Sequence, residues 1–158
     1  MLLVRNISDS RGSLYIWLLI LMIAFLPLMG LVVDISILYI LKNKVQNALD
    51  AAGTSALSSS VILEAVQAGE GLKVERELAM HRFLHLLKLN LELTEDLKPR
   101  KSDHVFKGLE LLTLEVQEEN SPQLDAVVKV VYPTLILHYI DPEITLMVSS
   151  RSILETKN

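Results

Sequence analysis

Leu14–Val33 is a run of 20 residues without a charged side chain. At about 1.5 Å of rise per residue a helix of that length is roughly 30 Å long, the thickness of one hydrocarbon core. Such a run reads as a removable secretory signal, a plain membrane anchor or the assembly helix of something larger. A secretory signal has a shorter apolar region, about 7–15 residues, closed by a small-x-small cleavage site. Here the run passes through a single carboxylate, Asp34, into the apolar Ile35–Leu41, and Leu28-Met29-Gly30 and Leu31-Val32-Val33 are poor cleavage sites. The segment therefore reads as a retained membrane helix over 13–41.

Flanking charge sets the expected orientation. Arg5 and Arg11 precede the run directly, whereas Lys42 and Lys44 follow only after Asp34 and seven more apolar residues. The nearer positive charges place the N-terminus in the cytoplasm and the C-terminal part outside it, in a single-pass protein of the cytoplasmic membrane. Pro27 and Gly30 lie inside the run, and a membrane helix tolerates both. Asp34 has two readings, a hydrated marker of the membrane exit or an assembly contact with a cation on a neighbouring subunit.

The helix is expected to continue beyond the membrane to about Ala68, because no proline falls between Asp34 and Ala68. Ile35, Leu38, Leu41, Val45, Ala48 or Leu49, Ala52, Ala56 and Leu63 recur at helical spacing, with Lys42, Asn43, Lys44, Gln46, Asn47 and Asp50 on the other face. The stripe narrows to small residues at Ala48, Ala52 and Ala56, which let another helix or a sheet come close. Residues 42–68 thus read as an extracytoplasmic extension of the membrane helix.

Residues 69–158 read as an extracytoplasmic α+β domain. Val74, Leu78, Met80, Phe83, Leu84, Leu87 and Leu91 make one face of a second helix over Lys73–Leu91. Thr94–Asp103 is a polar loop with Pro99. The period then changes to two. Val105–Glu119 sets Leu112, Leu114 and Val116 against Thr113, Glu115 and Gln117, and Leu124–Val131 and Glu143–Ile153 follow as further strands. Asn120-Ser121-Pro122 and Ile140-Asp141-Pro142 are turns, and even spacing predicts a three-stranded antiparallel meander.

The chain of 158 residues allows one ordinary domain, its net charge of −4 and lack of a basic cluster argue against nucleic acid, and it has no cysteine. Thiolate zinc sites are thereby excluded. His81 and His85 have metal-ligand spacing with Glu77 on the same face, but a catalytic H-E-x-x-H needs glutamate where Arg82 stands. His104 and His138 are isolated, Ser58-Ser59-Ser60 has no partner pattern for a nucleophile, and Gly69-Glu70-Gly71 lacks the strand and third glycine of a phosphate loop. No catalytic, metal or cofactor site is expected.

Arg11-Gly12-Ser13 before the apolar run, Val33-Asp34 at its exit, Leu38-Tyr39, and then Val45-Gln46-Asn47-Ala48-Leu49-Asp50-Ala51-Ala52 form a combination that resembles the start of TadE/TadG-like proteins of tight-adherence (Flp, type IVc) pilus systems. The resemblance covers about Gly12–Ala56. It implies a pilin-like arrangement, a long N-terminal helix laid against a small antiparallel sheet. It also implies a cytoplasmic leader Met1–Gly12, cut by a prepilin peptidase to leave Ser13 as the new N-terminus. The expected partners are the membrane, other pilin-like subunits and the pilus assembly machinery. The sequence departs from the pilin pattern at Trp17, where a glutamate is expected five residues into the mature helix, and this points toward a minor subunit or pseudopilin. The competing expectation is a permanently anchored single-pass protein that binds a partner through its outer domain.

Overall fold

The computed structural model describes residues 10–69, 71–101, 106–118, 121–134 and 142–155. The expected leader up to residue 9, the end of the polar loop with His104, the turn residue Asn120, and His138 with Ile140-Asp141 lie outside them.

A single helix, α1, runs Ser10–Ser59, 50 residues with Pro27 inside it. At about 1.5 Å per residue it is roughly 75 Å long. A short helix α2 (Leu63–Gln67) and a longer α3 (Arg76–Asn90) follow. Three strands complete the chain: β1 (Gly108–Gln117), β2 (Gln123–Pro133) and β3 (Glu143–Ile153). They form one antiparallel meander in the order β1-β2-β3. The molecule is thus α+β, with a long apolar N-terminal helix, further helices and a three-stranded antiparallel sheet.

The outer half of α1 packs against α3, β3 and β2, and α3 also touches β1, so the two helices share one face of the sheet. Leu41, Val45, Leu49, Ala52 and Leu57 of α1, Phe83 and Leu87 of α3, and Leu124, Val128 and Val130 of β2 are buried in one core. Along β2 the alternation is complete: Leu124, Ala126, Val128, Val130 and Tyr132 are buried, and Asp125, Val127, Lys129 and Val131 face outward. Ion pairs cross that outer face from Lys129 to Glu110 at 3.2 Å and from Arg151 to Asp125 at 2.8 Å.

Two expectations are corrected. The first helix stops at Ser59 instead of reaching Ala68. Ser58 donates to the Ser55 carbonyl at 3.1 Å, and Ser59 and Ser60 donate to that of Ala56 at 3.2 and 2.6 Å. Serine hydroxyls that bond back to backbone compete with helix propagation. Val61 then bridges to Val74, and Glu75 N–H donates to the Ser60 carbonyl at 2.9 Å, which turns the chain into α3. In β1, a register shift between Leu111 and Thr113 leaves Leu112 45% exposed, away from the inner face it was assigned with Leu114 and Val116. The bulge places Leu111, opposite the buried Val128, on the inner side.

Tyr132 and Pro133 are the last two residues of the second strand, which ends at the proline. Pro133 pairs with Glu143 at the last position of the ladder, where a missing N–H is tolerated.

Candidate functional site

The place where α1 leaves its apolar half and meets the sheet is the most constrained part of the molecule. From Leu14 to Val33 every large apolar side chain of α1 is exposed, Trp17 at 70%. The helix is long and apolar enough to cross a membrane. Asp34 is the first residue beyond this run, and it is fully buried. Tyr132 Oη, near the end of β2, donates to Asp34 Oδ1 at 3.1 Å. A carboxylate at a membrane exit is easiest to accommodate in water, so its enclosure by the protein's own head is informative. Asp34 is thus enclosed by the protein's own sheet. Tyr132 responds to the same contact. Burial, and then the hydrogen bond to Asp34 and its negative charge, push the phenol pKa up to about 12.

One face of α1 continues this contact upward. Ile37 and Leu38 are half-buried and Leu41, Val45, Ala48, Leu49, Ala52, Ala56 and Leu57 are buried. Ser150 Oγ of β3 donates to Asp50 Oδ1 at 2.5 Å. Next to it, Gly53 lies so close to β3 that an added Cβ would meet Ser152 Cβ at 3.0 Å and its Oγ closer still. Three points along α1, at Asp34, Asp50 and Gly53, therefore fix its register against the sheet. The small residues Ala48, Ala52 and Ala56 are enclosed in this core. Gly53 and Tyr132 were not singled out by the sequence reading. The signal for Gly53 was its position as the sole glycine between Gly30 and Gly69; for Tyr132 no local signal existed, since its role depends on a partner 98 positions away.

Gly12-Ser13 lies near the start of α1, at the far end of the apolar run from Asp34. His81 and His85 are exposed on α3 and line an open groove with Ser55, Ser59 and Arg82. Among the described residues no group of three or more His, Asp or Glu is placed to hold a metal ion.

Comparison with curated proteins gave no match, and neither did comparison with solved structures. A family model does match, over a segment that begins at Gly12 and ends where α1 ends. Residues 12–59 match the Tad family, described as "Putative Flp pilus-assembly TadE/G-like", so this chain carries a TadE/G-like segment in the helix that joins its apolar run to its head.

Proposed function

We propose that the protein is a pilin-like minor subunit, or pseudopilin, in the assembly of a Tad/Flp-type pilus or a related secretion apparatus. The observation that carries this reading is the coincidence of the TadE/G-like match with α1: the matched residues are the apolar run plus the part that docks on the head. The family supports a role in pilus assembly.

In this reading α1 holds the subunit in the cytoplasmic membrane, with the N-terminus in the cytoplasm and the head outside. Lipid-exposed Leu14–Val33 then exchanges lipid for the helices of neighbouring subunits or of the assembly machinery. That exchange is driven by close packing and not by the hydrophobic effect, since lipid tails are as apolar as the helix. The head acts by shape and surface, without catalysis. A prepilin peptidase removes the leader at Gly12-Ser13, and the absence of a glutamate at Trp17 fits a minor place in the assembly better than a major one.

The test is the intact mass of the membrane-extracted protein, made with and without a co-expressed prepilin peptidase. Loss of Met1–Gly12 only in the presence of the peptidase is the expected result. An unchanged N-terminus in both samples would overturn processing and leave the alternative, a permanent anchor whose outer domain binds a partner.

A further inference from the structure

Resting on the reading that Leu14–Val33 lies in the bilayer, we infer that the membrane-facing end of the head carries a cleft for the headgroup of a zwitterionic phospholipid with a primary ammonium, of the phosphatidylethanolamine type.

The height of this cleft follows from the register of the elements. Asp34 closes the apolar run and is bonded to Tyr132. Two residues along β2, about 7 Å away, Val130 pairs with Leu109 of β1. Leu109 N–H in turn donates to the Leu97 carbonyl at 3.0 Å. The loop segment 94–98 therefore lies at the level of the first turns of α1 beyond Asp34. On the side of those turns that the head leaves open, Ile35, Tyr39 and Ile40 are 54%, 67% and 65% exposed. Apolar side chains exposed at that height belong in the boundary between lipid tails and headgroups. The polar layer of a bilayer is roughly 5–8 Å thick on each side. The end of the head thus stands in the headgroup layer and not above it.

At this level a cleft of about 350 Å³ opens between the loop and the sheet, lined by Asp96 and Lys98 on one side and Lys107, Glu110 and Glu143 on the other. Its charges are almost all committed. Lys107 pairs with Glu143, Lys129 pairs with Glu110, and the nearby Glu95 is held by Lys88. Asp96 and Lys98 remain, one carboxylate and one ammonium flanking Leu97, and neither side chain has a hydrogen-bond or ion-pair partner among the described residues. A ligand that complements this pair offers one phosphate to Lys98 and one ammonium to Asp96. A purely anionic headgroup supplies the phosphate for Lys98 but brings no cation to Asp96. A trimethylated ammonium carries the right charge but no N–H to donate to Asp96.

The backbone that carries these two exposed side chains is fixed by its own hydrogen bonds. Thr94 N–H donates to the Lys98 carbonyl at 2.7 Å, Lys98 N–H donates to Thr94 Oγ1 at 3.3 Å, and Arg100 N–H donates to the Glu92 carbonyl at 2.9 Å. Leu97 holds a left-handed backbone at φ 57° with its side chain packed against the core. A bulky residue in that conformation persists only where its surroundings fix it.

The test is native mass spectrometry of the full-length chain from mixed micelles containing equal amounts of phosphatidylethanolamine, phosphatidylcholine and phosphatidylglycerol with identical acyl chains. Retention of the ethanolamine lipid roughly two- to five-fold above the choline lipid is expected, the size of an exposed charged contact. The double variant Asp96→Asn with Lys98→Gln is expected to lose that preference while binding the same total lipid. Equal retention of the ethanolamine and choline lipids, preference for the glycerol lipid, or a preference unchanged in the variant would each overturn the inference. Alkaline carbonate extraction of the same protein separates this from failure of the underlying reading. A chain that stays in the membrane fraction but shows no headgroup preference refutes the cleft alone; a chain released into the supernatant refutes the membrane helix itself.

Discussion

Tyr132 reaches across 98 residues of sequence to donate its hydroxyl to Asp34, and the pair is enclosed where the apolar run of α1 ends and the sheet begins. A buried carboxylate that loses a donor is left with part of its desolvation uncompensated. Tyr132→Phe removes the donor and keeps the ring. It is expected to destabilise the head by about 1–3 kcal/mol, measured by denaturant unfolding of the detergent-solubilised chain. Asp34→Asn, which keeps an acceptor for the same hydroxyl, is expected to cost less. A Tyr132→Phe variant as stable as the parent would show that the junction is not held by this bond.

The same pair gives an alkaline signature. The folded Tyr132 pKa is raised to about 12, against about 10 in the unfolded chain. Below about pH 10 both states hold the proton and this contribution is fully present. Between about 10 and 12 only the unfolded state has lost the proton, so stability falls as pH rises. In the tyrosinate absorbance Tyr132 is expected to contribute a late step near pH 12. The late step should be missing in Tyr132→Phe, whose stability should also vary less across that pH window.

The difference between what periodicity revealed and what it missed follows from the range of the interactions. The apolar run, the helical stripe and the presence of three strands are local patterns. Leu41, Val45, Ala52 and Ala56 of the stripe lie in the core, whereas Ile35 and Leu63 of the same stripe are exposed. The end of α1 depends on Ser58, Ser59 and Ser60 turning their hydroxyls back onto the helix, a competition that apolar spacing does not register. The bulge at Leu112 has the same character: an apolar residue in an alternating run is assigned inward unless the partner strand's register is known. The burial of Asp34 was out of reach altogether. A carboxylate after 20 uncharged residues marks the end of the run from sequence alone, but the side chain that covers it arrives from the second strand.

Gly53 tests the close approach of α1 to β3. Glycine in a helix interior normally costs about 1 kcal/mol relative to alanine. Here a larger residue is expected to lose more than it gains, because its Cβ would press on Ser152, with Cβ at 3.0 Å and Oγ closer still. Gly53→Val is expected to destabilise the head by about 1–3 kcal/mol. Ser152→Gly in the same chain should recover part of that loss, and a double-mutant cycle reads the coupling directly. Additive effects would mean that the two residues do not share the contact.

The ion pairs on the outer face of the sheet make a contrasting case. Lys129–Glu110 and Arg151–Asp125 join neighbouring strands, and each has one side chain more than 60% exposed and a partner exposed by about a third. Exposed pairs of this kind contribute about 0.2–1 kcal/mol and less at high salt. Lys129→Gln and Arg151→Gln are each expected to shift stability by no more than about 1 kcal/mol, with the shift shrinking as salt is added. A loss of several kcal/mol in either would reveal that this face is covered in the protein as assayed.

Phe83 decides whether the head and the anchor are energetically separable. It is fully buried between α1 and the sheet, on the face of α3 that includes Ala79 and Leu87. Phe83→Ala is expected to cost about 3–5 kcal/mol. That is a large share of the roughly 5–15 kcal/mol that holds an ordinary domain together. Leu14–Val33, long and apolar enough to cross a membrane, takes part in none of these contacts, since its side chains are exposed along the whole run. In membranes carrying the Phe83→Ala protein, the head should therefore become sensitive to protease while the chain still resists alkaline extraction. A variant whose head stays protected would place the stabilising contacts elsewhere. One that also leaves the membrane would show that the anchor depends on the head, and that Asp34 and Tyr132 hold the helix in the bilayer as well as the sheet on the helix.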